Sequence, residues 1–264
     1  MTDLAQVLTF AHTLADAAAG ETLPRFVAGV GIDDKGKPGD FDPVTEADRA
    51  AEDIIRARIK TAYPGHGLLG EERGLERGSE PFTWVIDPID GTRAYICGIP
   101  LWTTLIALND GTKPVAGIID QPYLGERYYA DASGAFLNRR GTVHRLATSA
   151  KTRLKDAIFS TTSPDLFRSP KEHTIHDTLS AKTRLARYGC DAYAYARLAA
   201  GAIDLVVEPG LKPWDVQALI PVIEAAGGVI ARFDGGDPQD GGDIIAAANT
   251  ALLGEVQDLI ARAR

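Results

Sequence analysis

Cysteine is scarce in this sequence, with only Cys97 and Cys190 among its 264 residues. Two cysteines cannot build the disulfide framework of a small secreted domain, and this usage is typical of a reducing compartment. No apolar run approaches the roughly 20 residues of a membrane span, and the first residues lack the basic region of a secretory signal. We therefore expect a cytoplasmic protein that does not insert into a membrane.

Basic residues are also fewer than acidic residues. Lys and Arg number 28 and Asp and Glu number 36, which gives a formal net charge of −8. A nucleic-acid-binding protein needs a sustained Lys and Arg surface facing phosphates, so the composition argues against that function. The chain is long enough to bury a large core without disulfides. We expect one catalytic unit over residues 1–264, built as one large domain or two closely packed halves.

Motifs of several other chemistries are absent or incomplete. The sequence has neither a Gly-x-x-x-x-Gly-Lys-Ser/Thr phosphate loop nor a Gly-x-Ser-x-Gly elbow, and residues 29–31 lack the third glycine of a dinucleotide loop. His173 and His176 have no Cys or further His near them in sequence, which favours a surface pair over a zinc site. Residues 234–243 lack the spacing of an EF-hand loop and predict an exposed turn.

The hydrophobic pattern changes along the chain. The first half predicts two helices and then a mainly antiparallel sheet, and the second half alternates strands and helices, so the fold class is α/β (α+β). A loop rich in Gly and Asp is expected over about 29–43. The change near residues 146–157 divides the unit into structural halves of about 1–147 and 148–264. Predicted helices begin at residue 4 and cover 45–62, 171–179, 192–201, 215–226 and 250–264; predicted strands cover 83–87, 102–108, 115–119, 128–130, 135–137, 157–160, 203–207, 229–233 and 244–248.

Carboxylates stand together at four predicted turns, in residues 42–48, 70–72, 87–92 and 213–215. In the third cluster a strand delivers Asp87 to its end, and Pro88 fixes the turn because its ring locks φ. Asp90 follows three residues later, close enough to share a cation with Asp87. The carbonyl of Ile89, between the two, offers a third oxygen ligand.

The glycine after these ligands, Gly91, allows the backbone to approach a ligand closely. If a helical turn begins at Gly91 and Thr92, its free N–H groups form an anion site beside the metal ligands. Metal ligands next to a phosphate site are what phosphoester hydrolysis needs. An ordinary turn between two core elements is equally consistent with this segment taken alone.

The other clusters have plain structural explanations when each is taken alone. Thr45 and Asp48 fit the N-cap and N3 positions of a capping box. Glu71 with Glu72 fits a solvated acidic turn, and Asp215 fits the first turn of a helix. Gathered in one place, such carboxylates repel one another and raise each other's pKa unless cations hold them. They suit Mg²⁺, and two such ions can clamp the attacking and leaving oxygens of a phosphoester.

Taken in this order, the four clusters resemble the inositol monophosphatase family of Mg²⁺-dependent, lithium-sensitive phosphatases. Residues 87–92 match the family's Asp-Pro-x-Asp-Gly-Thr signature, and residues 214–215 followed by 224–228 match its second signature. Residues 70–72 and 42–48 match the remaining two motifs, and the resemblance runs from about residue 5 to 260. It implies a layered αβαβα sandwich of the sugar-phosphatase type, a homodimer and a small phosphorylated metabolite as substrate.

Further segments resemble the histidinol-phosphatase branch of the family, namely residues 41–49, 91–95, 98–102, 189–195 and 210–213. Arg93 and Ala94 stand where inositol-phosphate enzymes usually have Thr and Asn. Trp214 is the residue general to the family, where the branch more usually has Tyr. The resemblance implies hydrolysis of L-histidinol phosphate in histidine biosynthesis, with inositol 1-phosphate and adenosine bisphosphate as alternative substrates.

The resemblance also implies a set of metal ligands at the matching positions. Glu71, Asp87 and the Ile89 carbonyl would hold a first Mg²⁺. Asp87, Asp90 and Asp215 would hold a second, and Glu71 would help to hold a third. The site would therefore bind two or three Mg²⁺ ions.

The catalytic roles that the resemblance implies fall on three residues. Water activated by the metal would be oriented by Glu71 and Thr92, with Asp48 behind Thr92. The phosphate would bind the N–H groups of Gly91 and Thr92, and no covalent phosphoenzyme would form.

Substrate contacts are expected from Arg93, Asp191 and Glu208. Carboxylates at the non-phosphate end would attract histidinol phosphate, which carries an ammonium group and an imidazole. Asp191 also fits a helix N-cap, and Glu208 a solvated strand end. The basic residue that the family has before the cluster at residues 42–48 would be Lys35 or Lys37.

Two other function classes fit the motifs less well. Phosphatases that use an aspartyl phosphate need Asp-x-Asp after their first strand, whereas two residues separate Asp87 from Asp90. A metal-binding regulator without catalysis would need neither Thr92 nor Asp48.

Overall fold

Helices and strands occupy most of residues 4–29, 31–36 and 43–263, which are the residues that the computed structural model describes. The helices are α1 (Leu4–Ala28), α2 (Glu46–Ala62), α3 (Thr92–Ile96), α4 (Pro170–Lys182), α5 (Asp191–Ala199), α6 (Pro213–Val216), α7 (Leu219–Ala225) and α8 (Thr250–Arg262). The strands are β1 (Ile32–Asp34), β2 (Pro43–Thr45), β3 (Gly67–Gly70), β4 (Gly74–Glu76), β5 (Thr83–Asp90), β6 (Thr103–Asn109), β7 (Pro114–Gln121), β8 (Glu126–Asp131), β9 (Gly134–Arg139), β10 (Thr142–Arg145), β11 (Ile158–Thr161), β12 (Leu185–Tyr188), β13 (Leu205–Leu211), β14 (Val229–Arg232) and β15 (Gly242–Ala247). Among these residues, no helix has the length and apolarity needed to cross a membrane.

Two sheets form the frame of the fold. The larger has eight strands in the order β10-β9-β8-β7-β6-β5-β3-β4, and its neighbours are antiparallel except for the parallel pair β3 and β5. The smaller has five strands in the order β12-β11-β13-β15-β14, of which β12, β11 and β13 run parallel. A separate antiparallel pair joins β1 to β2. Because β3 and β5 are parallel, their carboxyl ends meet at one edge of the larger sheet.

Among the described residues the apolar core forms four clusters, and the three largest separate five layers. Successive strand residues point to opposite faces, so Trp84 and Ile86 of β5 pack under α1 and α2, whereas Val85 faces α5 and α7. On β13, Val206 faces these same central helices, and Leu205 faces α4 and α8. The order is therefore α1 and α2, larger sheet, α5 to α7, smaller sheet, α4 and α8. This confirms the predicted αβαβα arrangement.

Helix α2 begins with the capping box that the sequence predicts. The side chain of Thr45 accepts the N–H of Ala47 at 3.1 Å, and the Asp48 carboxylate accepts the N–H of Thr45 at 2.8 Å. Ile55 and Ile59 on the apolar stripe of α2 are fully buried. The cap and the stripe together fix how α2 leaves β2 and lies on the larger sheet.

The predicted continuous helix over 215–226 is wrong. The chain forms the short helices α6 and α7 instead, with residues 217–218 between them. Pro221 has no N–H to donate to the carbonyl four residues earlier, so the helical hydrogen bonding cannot continue through it. At the break, the chain presses against β7, where a Cβ on Gly117 would lie 2.2 Å from the Ala218 carbonyl oxygen.

Several strands were not predicted or are longer than predicted. β3, β4, β10 and β12 are short and contain glycine or lie exposed at sheet edges, so they carry no clear apolar alternation. β5 continues to Asp90 and β13 to Leu211, beyond the predicted ends. The predicted loop over 29–43 contains β1, and residues 30 and 37–42 of that loop lie outside the described residues.

The two sheets use separate parts of the chain. The larger sheet is built from residues 67–145 and the smaller from residues 158–247. The central core cluster nevertheless combines residues of both parts, such as Leu105 and Val206. The division into structural halves at 147 and 148 falls between the sheets, and it stays a proposal.

Gly117→Ala should destabilise the protein by about 1–3 kcal/mol, the usual effect of overpacking a core. The added Cβ would lie 2.2 Å from the Ala218 carbonyl oxygen and 2.7 Å from Pro221 Cγ, so α7 must move away from β7. Gly254→Ala on α8 is the matched control, because no neighbouring group lies within 4 Å of its added Cβ. It should stabilise the helix by roughly 0.5–1 kcal/mol. Urea denaturation measures both effects, and a neutral Gly117→Ala would contradict this packing.

Candidate active site

The end of β5 brings two carboxylates to one edge of the larger sheet. Asp87 is 2% exposed, and its Oδ1 accepts the N–H of Ile89 at 3.0 Å. The pairing of β5 with β6 is irregular between Asp87 and Asp90, and Pro88 tolerates this because it has no N–H to satisfy. The Pro88 carbonyl accepts the hydroxyl of Thr104 at 2.8 Å. These bonds hold the segment that carries Asp87 and Asp90.

A third carboxylate comes from the middle layer. Helix α6 begins with Pro213, and Asp215 Oδ2 accepts the N–H of Lys212 at 2.7 Å. Packing of α6 against β5 brings Asp215 to the two aspartates of the strand. One oxygen from each of Asp87, Asp90 and Asp215 lies within 4.8 Å of the other two. The structure thus gathers three of the predicted metal ligands from distant parts of the chain.

Burial and crowding raise the pKa of all three carboxyl groups. The pKa of Asp87 and of Asp90 lies well above the ordinary value, first because burial disfavours the charged form and then because neighbouring carboxylates repel it. Burial raises the pKa of Asp215 to about 7, and the nearby carboxylates add to the shift. A cation bound among these oxygens would reverse the effect. Carboxylate oxygens suit a hard divalent cation such as Mg²⁺, so the donor set fits one.

Glu71 reaches the same edge through the parallel pairing of β3 with β5. Gly70 pairs with Ile86 in that register, and the N–H of Glu71 donates to the Ile86 carbonyl at 3.2 Å. The Glu71 carboxylate is not one of the three gathered oxygens. It forms an ion pair with Lys35 at 2.7 Å instead. Burial raises the pKa of Glu71, and the Lys35 ammonium opposes that shift.

Lys35 is the basic residue that the structure places at this edge. Its Nζ lies 2.7 Å from Glu71 Oε1 and 2.6 Å from Glu72 Oε1. Despite partial burial, these two carboxylates raise the pKa of Lys35. The other expected lysine, Lys37, and the acidic Asp42 lie outside the described residues. A positive charge therefore lies against the Glu71 carboxylate.

The two carboxylate oxygens of Asp48 interact with different neighbours. It is 1% exposed, and its Oδ2 accepts the N–H and the hydroxyl of Thr45 at 2.8 and 2.6 Å. Its Oδ1 lies 3.4 Å from the hydroxyl of Thr92, which also lies 2.9 Å from the Ile89 carbonyl. Burial raises the pKa of Asp48 to about 6. The helix cap and the contact with Thr92 are therefore not alternatives, because a different oxygen makes each.

The turn after Asp90 has the form expected of a phosphate cradle. Helix α3 begins at Thr92, and Gly91 precedes it with φ of +87°. That left-handed conformation favours glycine. A Cβ on Gly91 would also lie 3.0 Å from the Leu101 carbonyl oxygen and 3.4 Å from Asp191 Cβ. A side chain at position 91 would crowd these neighbours, so glycine is the residue that fits this turn.

Asp191 stands beside this turn in a strained conformation. Cys190 occupies the N-cap of α5, so the interpretation of Asp191 as an N-cap is wrong. The φ of Asp191 is +45°, a left-handed value that costs a non-glycine residue on the order of 1 kcal/mol. Burial and the charge of Glu208 raise the pKa of Asp191 to about 7, and the exposed Arg93 opposes the shift. The next N–H of α5, that of Ala192, donates to Asp90 Oδ2 at 2.6 Å.

Glu208 lies within β13 and is 3% exposed, so it is not a solvated strand end. Its Oε1 accepts the N–H of Thr162 at 2.6 Å, and its Oε2 accepts the hydroxyl of Tyr195 at 2.9 Å. Burial raises the pKa of Glu208. With both oxygens bonded inside the protein, Glu208 is fixed in place, and it is one of the causes that raise the pKa of Asp191.

Two supporting residues were missed by the sequence analysis. Glu52 is fully buried and accepts the backbone N–H groups of Glu72 and Arg73. Its spacing of four from Arg56 is that of an ordinary ion pair on a helix surface, so no local signal marks it. Tyr195 lies in a segment noted for its resemblance, but only the fold shows that its hydroxyl meets Glu208.

Mg²⁺ should stabilise the protein more at pH 8 than at pH 5. The pKa of Asp215 is about 7 in the fold against an ordinary 3.8, so between these values the cation-free folded state binds more protons than the unfolded chain. Its stability therefore falls as the pH rises through that window. A divalent cation offsets the repulsion between ionised carboxylates, so the increase in Tm on adding Mg²⁺ should grow with pH.

Asp215→Asn and Asp90→Asn should both fold, because Asp90 ends β5, Asp215 lies in the short helix α6, and asparagine keeps an oxygen acceptor for the backbone N–H at each position. At pH 8 without Mg²⁺ their Tm should not fall below that of the wild type, since one repulsive charge is gone. Both should lose most of the response to Mg²⁺. Asp258→Asn removes an exposed carboxylate on α8 and is the control that should keep the response. A full Mg²⁺ response in Asp215→Asn would place the cation elsewhere.

Comparison with known proteins agrees with this geometry. A model of the Inositol monophosphatase family matches residues 3–264. The histidinol-phosphatase of Streptomyces coelicolor is 39% identical over 263 residues, which cover 97% of each protein. The bifunctional phosphatase IMPL2, chloroplastic, of Arabidopsis thaliana is 41% identical over 239 residues, which cover 89% of this chain and 66% of that relative.

Solved structures show the same likeness. An inositol monophosphatase from Zymomonas mobilis superimposes with a TM-score of 0.85 at 36% identity, covering 99% of this chain and 100% of that one. The family match extends over both sheets and over every carboxylate of the site. The chain therefore belongs to the inositol monophosphatase family and is a phosphoric monoester hydrolase.

Proposed function

We propose that the protein hydrolyses L-histidinol phosphate to L-histidinol and phosphate in histidine biosynthesis, with Mg²⁺ at the carboxylate cluster. The observation that carries the proposal is the acidic pair of Asp191 and Glu208 next to Asp90 and Gly91. Histidinol phosphate carries an ammonium group and an imidazole that titrates near neutrality. The name of the Streptomyces relative, histidinol-phosphatase, supports the same substrate.

The Mg²⁺ ligands would form two overlapping groups. Glu71, Asp87 and the Ile89 carbonyl would hold one ion, and Asp87, Asp90 and Asp215 would hold the other. Glu71 would also help to hold a third ion. The cluster of three aspartate oxygens supports the second group, and the ion pair of Glu71 with the Lys35 ammonium supports Glu71 as a carboxylate that pairs with a cation in the first. When bound, Mg²⁺ supplies positive charge that lowers the pKa of water and stabilises the negative charge of the phosphate.

The protein's own groups would position the reactants. The N–H groups of Gly91 and Thr92 would bind the phosphate oxygens. Glu71 and Thr92 would orient the attacking water. The hydroxyl of Thr92 has one hydrogen, which can be donated to the Ile89 carbonyl or to Asp48 Oδ1. When Asp48 accepts it, a lone pair of the Thr92 oxygen is directed to the water, so Asp48 acts by holding Thr92.

Substrate selection would depend on the charge at the far end of the site. Asp191 is placed against Gly91, so its carboxylate would contact the organic part of a substrate whose phosphate lies at that turn. Glu208 would add its charge from behind, and Arg93 would lie at the exposed rim. A cationic substrate gains from this arrangement, because it lowers the pKa of Asp191 and pairs with the ionised form.

Inositol 1-phosphate is the alternative substrate. The likeness to the Zymomonas inositol monophosphatase over the whole chain favours it. The same metal chemistry would serve, but a neutral ring of hydroxyls gains little from two carboxylates. Adenosine bisphosphate has no feature of this site in its favour. The substrate panel described below separates these possibilities.

We also propose that the protein works as a homodimer in the cytoplasm. Family membership supports the dimer. The low cysteine content supports a reducing compartment. Sedimentation equilibrium at micromolar concentration tests the oligomeric state.

Thr92→Ala should keep the affinity for Mg²⁺ and lower kcat by about a hundredfold, because it removes a group that positions water. Asp48→Asn should lower kcat as well, and it should also weaken the capping box by about 1 kcal/mol. Thr61→Ala is the control, since the exposed Thr61 hydroxyl bonds within its own helix to the Ala57 carbonyl. Steady-state kinetics and thermal unfolding are measured together. An unchanged kcat in Asp48→Asn would leave Asp48 with the capping role alone.

Asp191→Asn should lower kcat/KM for histidinol phosphate about tenfold or more, because a charge-assisted contact contributes roughly 1.5–3 kcal/mol. Asparagine tolerates the left-handed φ of this position, so the backbone is preserved. Hydrolysis of glycerol phosphate should hardly change. Asp240→Asn, on an exposed turn, is the control variant.

The substrate panel is assayed with and without Mg²⁺. It consists of histidinol phosphate, inositol 1-phosphate, adenosine bisphosphate and glycerol phosphate. Equal losses of Asp191→Asn on histidinol phosphate and glycerol phosphate would make Asp191 structural. A wild-type preference for inositol 1-phosphate would reject the proposed substrate and leave the metal chemistry in place.

A further inference from the structure

Glu52 is a buried carboxylate that lies outside the cluster of Asp87, Asp90 and Asp215, and the proposed reaction does not use it. Glu52 lies on α2, and its side chain is fully buried. Its Oε2 accepts the N–H of Glu72 at 2.7 Å, and its Oε1 accepts the N–H of Arg73 at 3.1 Å. Oε1 also accepts the Nε–H of Arg56 at 2.7 Å. A helix residue thus binds two consecutive amides of the turn between β3 and β4.

These two amides lie directly after Glu71, the candidate metal ligand on that turn. The N–H of Glu72 belongs to the peptide plane that follows the Glu71 Cα, and Glu52 holds that plane. The N–H of Glu71 belongs to the preceding plane, which is held by the carbonyl of Ile86 on β5. Because peptide units are planar, fixing both of them fixes the direction in which the Glu71 side chain leaves the backbone.

The residues around Glu52 leave room for its carboxylate and balance its charge. A Cβ on Gly70 would lie 2.1 Å from Glu52 Oε1 and 2.5 Å from its Cδ, so only glycine leaves room at that position. Arg56 supplies the balancing charge and is itself 8% exposed. Its Nη2 donates to the Gly74 carbonyl at 2.5 Å, at the other end of the same turn. Glu52 and Arg56 therefore hold the turn of residues 71–73 from both ends.

We propose that Glu52 is a positioning residue for the metal site, acting through Glu71. It does not touch the substrate or the cation, and its function is to orient the ligand that β3 delivers beside Asp87. This inference rests on the proposed metal role of Glu71. Partners that orient metal ligands typically change metal affinity by 10- to 100-fold when they are replaced.

Glu52→Gln tests the proposal with little change in volume. An amide offers one oxygen in place of two, so one of the turn amides loses its acceptor and faces an NH₂ group. Binding of Mn²⁺, which accepts the same oxygen ligands as Mg²⁺, is measured from the electron paramagnetic resonance signal of the free ion. We expect affinity to fall at least about tenfold, at a temperature where the variant is fully folded.

Arg73→Ala is the matched control on the same turn. It removes the exposed ion pair of Arg73 with Asp53, at 2.7 Å, and leaves the backbone N–H of residue 73 bonded to Glu52. Its Mn²⁺ affinity should stay within about twofold of the wild type. An equal loss in Arg73→Ala and Glu52→Gln would overturn the proposal, because any disturbance of the turn would then suffice.

A double-mutant cycle with Glu71→Gln separates positioning from general destabilisation. If Glu52 acts through Glu71, Glu52→Gln should produce no further loss of Mn²⁺ affinity once Glu71 is neutralised. A full additional loss would overturn the proposal and leave the metal role of Glu71 standing. If Glu71→Gln alone leaves Mn²⁺ affinity unchanged, both the metal role of Glu71 and this inference fail, whatever substrate the enzyme uses.

Hydrogen exchange on the wild-type protein provides a test that does not depend on a variant folding. The amides of Glu72 and Arg73 lie in a turn, where exchange is ordinarily fast. Bonded to a buried carboxylate, they should exchange at least about a hundredfold more slowly than the exposed amide of Ser133, which bonds to the exposed Asp131. Unprotected amides at both positions would overturn the proposal.

Discussion

Repulsion between carboxylates at the carboxyl end of β5 is the constraint on which the rest of the structure depends. Asp87, Asp90 and Asp215 present oxygens within 4.8 Å of one another, an arrangement that opposes folding when the groups are ionised. The two sheets and the middle layer of helices must supply enough apolar burial to hold it. Ile86, directly before Asp87 on β5, is fully buried and is part of that support.

The buried carboxylates divide into two kinds according to their partners. In the described part of the chain, each aspartate of the cluster accepts one backbone N–H, which leaves oxygen lone pairs that a cation could use. Glu52 and Glu208, by contrast, have both oxygens bonded inside the fold. Carboxylates of the first kind are suited to bind a cation. Those of the second kind fix the nearby backbone and contribute to the electrostatic field of the site. Asp48 belongs to the second kind, because one of its oxygens caps α2 and the other contacts Thr92.

The sequence predicted the structure correctly where the residues of a short segment restrict the backbone by themselves. The segment from Asp87 to Thr92 predicted the turn and the start of α3 correctly, because Pro88 and Gly91 restrict the backbone locally. The strand β3 was missed because it depends on pairing with β5. The break between α6 and α7 was missed although Pro221 marks it locally. The left-handed φ of Asp191 and the burial of Glu52 have no local signal at all. They exist only because distant elements meet there.

The order of the ligands along the chain bears on how the protein matures. Asp87 and Asp90 leave the ribosome well before Asp215, which follows roughly 125 residues later, a delay of about 6–25 s at ordinary rates of synthesis. During that interval the nascent chain has the strand but not the helix α6 that closes the site. With the proposed ligands, full coordination would wait for the C-terminal sheet to dock, and metal capture would be a late step of biogenesis. A chain truncated before residue 215 would be left with an incomplete ion site.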